Sequence, residues 1–162
     1  MANTRTPATI ASKRFAGREH WEVRGVRDSV KFFRALGSLL PEATTLVLEG
    51  QDIARDVRDA LSPYLEFEAT AVTAGVGWPD WRFSLRYRFS AELAALLAHL
   101  AAHHAEPELC RHLFASRYSE PLLEWYDAFD HEMLIAAEIP ALRVRLFCHR
   151  LGATFRRVAP AG

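Results

Sequence analysis

Lysine is almost missing from this sequence of 162 residues. Its 20 basic residues are Lys13, Lys31 and 18 arginines. Together with the abundance of Ala and Leu, that skew reads as the codon bias of a GC-rich bacterial genome rather than a requirement for guanidinium groups. Cysteine is scarce as well. Cys110 and Cys148 are far apart and lack CxxC spacing, which argues against a disulfide framework and makes a reducing, cytoplasmic setting the expectation. No stretch approaches the ~18–20 apolar residues that span a bilayer, so no membrane partner is expected. "MANTRTPATIASKRF" has no apolar core that could serve as a signal peptide. An excess of one charge is also lacking: 20 acidic residues balance the 20 basic ones. Without a basic surplus there is no global electrostatic case for nucleic acid. The sequence contains no HExxH, no phosphate- or dinucleotide-binding glycine pattern and no calcium loop, so no cofactor is expected.

Half of the residues are hydrophobic and 25% are charged, the balance of a globular chain of one ordinary domain. Residues 1–15 read as a mobile polar tail and residues 16–162 as a single domain. "HWEVR" (20–24) reads as a strand, and Asp28 or Ser29 as the cap of a helix with Val30, Phe33, Leu36 and Leu40 at helical spacing. "TTLVLEG" (44–50) reads as a second strand. Asp52 follows as the cap of a second helix, whose stripe is Ile53, Val57, Leu61 and Tyr64. Strand, helix, strand at these lengths suits a crossover with the two strands parallel.

"WRFSLRYRF" (81–89) alternates cleanly. Trp81, Phe83, Leu85, Tyr87 and Phe89 share one face; Arg82, Ser84, Arg86 and Arg88 share the other, expected to be wet. Ser90 caps a helix of leucines. "LCRHLFASRY" and "LLEWYD" form a hairpin, and Pro140 and Gly152 delimit a last helix before a closing strand, "ATFRRV". The expected architecture is an α+β domain, with a mixed β-sheet, a hairpin in the C-terminal half and about four helices.

Between His99 and Glu132 lie five of the seven histidines. A two-residue turn at Ser119-Glu120 would set Phe114 across from Trp125, His112 from Asp127 and Cys110 from Phe129, all on one face. A His–carboxylate pair fixes an imidazole tautomer and raises its basicity. A cysteine two residues along the strand then suggests a nucleophilic Cys110–His112–Asp127 arrangement, rimmed by His104 and Glu106 and backed by Trp125. The same groups with His104 or His131 offer a metal-binding variant. A plainer reading has Cys110 as a core residue, with His112 and Asp127 satisfying each other. The row Arg82, Arg86 and Arg88 is a candidate contact for an acidic partner. These observations favour a small bacterial binding or regulatory domain that engages a protein or small ligand without catalysis. The alternative is a small enzyme, a hydrolase, using the Cys/His/Asp pocket.

Overall fold

A computed structural model of the chain describes residues 14–68, 83–160 and 162. It is an α+β domain built on one sheet of eight strands. In chain order the strands are β1 (His20–Arg24), β2 (Thr45–Gly50), β3 (Leu65–Glu68), β4 (Phe83–Arg88), β5 (His112–Arg117), β6 (Glu120–Trp125), β7 (Met133–Ala136) and β8 (Thr154–Val158). The α-helices described from end to end are α1 (Ser29–Leu39), α2 (Arg55–Leu61), α3 (Ala91–Ala101), the one-turn α4 (Glu106–Leu109) and α5 (Ala141–Leu151), and Ser62–Tyr64 form a 3₁₀ turn after α2. No described helix is long and apolar enough to cross a membrane. The candidate tail up to residue 13, and Trp81 and Arg82 of the alternating run, lie outside the described residues. Phe15 is described, and it is buried.

The helices begin where side chains can satisfy free N–H groups. Asp28 Oδ1 accepts from the Lys31 N–H at 3.0 Å, and Ser90 Oγ from the Leu93 N–H at 3.1 Å. Gly152, at φ 62°, closes α5 in the left-handed conformation that glycine adopts without Cβ strain. The expected Asp52 cap is corrected: α2 starts later, with Ala54 at the cap position and no side-chain cap hydrogen bond.

The strand order is β3-β4-β2-β5-β6-β7-β1-β8, and every pairing is antiparallel where a mixed sheet had been expected. β1 and β2 do run in the same direction, but β5, β6 and β7 stand between them. The α1 crossover therefore spans the meander that forms later in the chain. One face of the sheet packs against helices through Phe32, whose ring centroid lies 4.9 Å from Trp125 and 6.0 Å from Phe147. Leu46, Leu48, Leu113, Leu123, Ile135 and Trp21 fill the rest of that layer.

The other face carries polar groups that are nonetheless buried: Glu22, Glu49, Ser84, His112, Glu124 and Tyr126. This revises the wet face expected of β4. Ser84 donates to Glu49 Oε1 at 3.1 Å, Arg86 is half-buried, and Arg88, at the strand end, is exposed beside Glu66 at 3.5 Å.

The hairpin register differs from the sequence reading by two local events. The turn residues are Tyr118 and Ser119, at φ 50° and 68°, between the paired Arg117 and Glu120. Two positive-φ residues form the turn whose twist matches that of a hairpin. A bulge then leaves Leu122 as the extra residue, since Ser116 pairs with Pro121 and Ala115 with Leu123. Pro121 has no N–H to continue the ladder, which suits a bulge at that point. The net register sets Leu113 opposite Trp125 and Phe114 opposite Glu124. Trp125 and Phe114 therefore lie on opposite faces, not the same one.

Candidate functional site

The ends of β1, β2 and β6 and the starts of β5 and β7 meet at one end of the sheet, where their loops surround a cleft. One cavity there, of about 220 Å³, is lined by Arg27, Glu106, Cys110, Arg111, Phe129 and Asp130 among others. A second, of about 320 Å³, adjoins it through Arg27, Phe129 and Asp130 and extends to Arg24, His131 and Glu132. Together they reach the scale of a small-ligand site.

The loop between β6 and β7 shapes the cleft and is fixed from several sides. Asp127 and Phe129 hold positive φ, 44° and 73°, without being glycines. Such conformations persist only where surrounding bonds enforce them. Here the Asp127 N–H donates to His112 Nδ1 at 2.9 Å, the Ala128 N–H to the Arg111 carbonyl at 2.9 Å, and Trp125 Nε1 to the His131 carbonyl at 2.8 Å. The Arg111 N–H in turn donates to the Glu49 carbonyl at 2.7 Å. The approach is close at Gly50: a Cβ there would sit 3.2 Å from the Arg111 nitrogen and 3.3 Å from Ile53 Cγ1, so any side chain requires these neighbours to give by a few tenths of an ångström.

The proposed triad is brought into one neighbourhood but not into a triad's geometry. Cys110 is only 1% exposed, and burial, reinforced by Glu106, pushes its thiol up to about 12. His112 is fully buried, and burial outweighs the pull of Asp127 to bring its imidazole down to about 4. Its Nδ1 meets the backbone of Asp127, not the carboxylate, because the register places Asp127 past the end of the ladder. The Asp127 carboxylate goes to Arg111 Nε at 2.5 Å, with His131 Nδ1 at 3.9 Å. The expected His112–carboxylate pair is thus replaced by an imidazole accepting from an amide, which fixes the ring without raising its basicity.

The remaining candidates separate. Glu106 lines the cleft. His104 lies apart, with Nε2 3.0 Å from Asp56 and Nδ1 3.6 Å from Glu108, bridging α2 and α4. Trp125 is core. Among the described residues, no three His, Cys, Asp or Glu side chains gather in a way that could hold a metal ion.

Sequence reasoning missed Glu124 and Arg14. Glu124 is fully buried on the polar face, 3.3 Å from Arg14 Nε, and burial lifts its carboxyl to about 7 against the pull of that arginine. Burial also raises the Tyr126 phenol, with Glu124 and Glu49 adding to the effect and Arg14 opposing it. A buried carboxylate on a face that hydrophobic patterning reads as solvated has no sequence signal of its own.

Fold and cleft together define an α+β domain with a polar cleft at the sheet's end. No family model, curated protein or solved structure matches the chain.

Proposed function

We propose that this chain is a bacterial cytoplasmic binding or regulatory domain that performs no chemistry of its own. The observation that carries this reading is the state of the Cys110 thiol and the His112 imidazole, both buried beside the cleft. A thiol at about 12 is not a thiolate near neutrality, and an imidazole at about 4 is a poor proton acceptor there. Against an ordinary value of 9.0, the thiolate fraction of Cys110 near pH 7 falls roughly a thousandfold. Alkylation of the native protein tests this directly. Cys110 is expected to label at least a thousandfold more slowly than it does in denaturant. Labelling at the rate of a free thiol would restore the hydrolase alternative and overturn the reading.

One observation favours a small-molecule ligand for the cleft. Two non-glycine residues in the left-handed conformation stand beside side chains with opposite charges. Arg27, Glu106 and Asp130 make no ion pair with one another or with other described residues. They suit a ligand that carries both an ammonium and a carboxylate. Free L-glutamate, glycine and L-arginine are suitable probes in thermal melts. At least one is expected to raise the melting temperature in the wild type and to lose that effect in Arg27→Ala. If none of the three shifts the transition, the cleft reading fails.

A further inference from the structure

We propose that the outward face of α5 is a docking surface for an acidic, leucine-bearing segment of another protein. The proposal builds on the binding reading by naming the partner's chemistry, and it involves no residue of the cleft.

Charge along the chain is the first ground. From Ile139 to the C-terminus there are five arginines and no Asp or Glu, in a chain whose formal net charge is zero. The remainder therefore carries five excess acidic charges, and the basic end is one continuous piece of structure, α5 and β8. Arg156 and Arg157 on β8 are already matched, the first to Glu22 and the second to Glu19 at 2.7 Å. Arg143, Arg145 and Arg150 on α5 have no ion-pair partner among the described residues, and all three are exposed.

Helix geometry arranges these charges around apolar groups. Val144, Phe147 and Cys148 point into the core. At about 100° per residue, Leu142, Leu146 and His149 follow one another along the opposite side. Arg145 then lies to one side of that strip, and Arg143 and Arg150 to the other. Leu142 is 63% exposed and Leu146 46%, among the few large hydrophobic side chains left in solvent among the described residues. At the helix's N-terminal end Arg143 also lines a cavity of about 330 Å³, together with Leu39, Leu122, Ile139, Arg117 and Glu138. Two exposed leucines between arginine rails, beside a recess lined by both apolar and charged side chains, match a segment presenting leucines flanked by Glu or Asp.

An anionic membrane fits less well. The outward face of α5 carries two leucines and no aromatic residue, whereas helices that lie in the lipid interface bury a broad apolar face with Trp or Phe.

The test uses the whole protein and three probes. These are a fluorescent peptide of glutamates with leucines at i, i+4, an equally charged polyglutamate, and vesicles of phosphatidylglycerol and phosphatidylcholine. The leucine peptide is expected to bind in a salt-sensitive manner, and roughly tenfold more tightly than polyglutamate. Arg145→Glu/Arg150→Glu and Leu142→Ser/Leu146→Ser are each expected to weaken it by about tenfold. Arg27→Glu at the cleft is expected to leave it unchanged. All four α5 positions are exposed, and circular dichroism is the check that the variants fold. Peptide binding that is indifferent to both α5 variants overturns the proposal, as does binding to vesicles in place of the peptide. So does a wild-type dimer in sedimentation that Leu142→Ser/Leu146→Ser converts to monomer, because a second copy is then the occupant. The thiol measurement above does not depend on any of these results, so the two readings fail separately.

Discussion

Trp125→Ala is expected to destabilise the domain by about 3–5 kcal/mol, the range for removing a large buried aromatic side chain. The indole is fully buried, with Phe129 at 4.5 Å and Phe32 at 4.9 Å between ring centroids. Set against the roughly 5–15 kcal/mol that holds a domain folded, such a loss approaches unfolding. Trp125 does a second job through Nε1, which ties down the His131 carbonyl at the far end of the cleft loop. Trp125→Phe separates the two roles. It keeps most of the packing and loses the hydrogen bond, for about 1–3 kcal/mol with the carbonyl left short of a donor. Urea unfolding followed by circular dichroism reads both variants. A loss below about 1 kcal/mol for Trp125→Ala would mean that Trp125 is not the keystone between the helices and the sheet.

How much of this arrangement was legible in the sequence depends on the range of the signal. Asp28, Ser90 and Gly152 act within a few residues of themselves, and the structure uses each as the sequence suggests. The alternation in β4 is also local, and it sorts Leu85 and Tyr87 correctly onto the helix-packed face. The hairpin failed for an equally local reason. Tyr118 and Ser119 are not the residues usually associated with two positive-φ turn positions, so nothing marked the turn as beginning one residue early. Pro121 did mark a ladder fault, but not how it would resolve. A one-residue difference in net register was enough to put Trp125 and Phe114 on opposite faces. What lay beyond reach was long-range. The approach of Arg111 to Glu49 and the burial of Glu124 beside Arg14 arise from strand order, and neither residue's neighbours in sequence encode it.

The polar face makes the last prediction, because two of its buried groups titrate against each other. Glu124, ordinarily near 4.5, sits at about 7 when folded, with burial as the main cause and Arg14 opposing it. Between those values the folded chain keeps a proton that the unfolded chain releases. Stability therefore falls as pH rises through that window, by on the order of 3 kcal/mol. His112, ordinarily near 6.5, sits at about 4 when folded, with burial as the main cause, Asp127 opposing it and Arg111 adding to it. Here the unfolded chain takes up a proton that the folded chain refuses. Stability therefore falls as pH drops from 6.5 toward 4, by a similar amount. The two slopes have opposite signs and overlap between pH 4.5 and 6.5, so the wild type is expected to be nearly flat there. Glu22, held below its ordinary value because Arg156 and Arg24 outweigh its burial, loses its contribution only below that window. Each slope should appear once the other is removed. Glu124→Gln is expected to become more stable as pH rises from 4.5 to 6.5, and to exceed the wild type most clearly at pH 8. His112→Asn, which retains an acceptor for the Asp127 N–H, is expected to lose stability over the same rise. Melting temperatures of the three proteins at half-unit pH steps decide the matter. If both variants are as flat as the wild type, neither group carries the burial cost assigned to it. If the two slopes appear, the level wild-type profile is a cancellation between two ionisable groups buried on one face of the sheet.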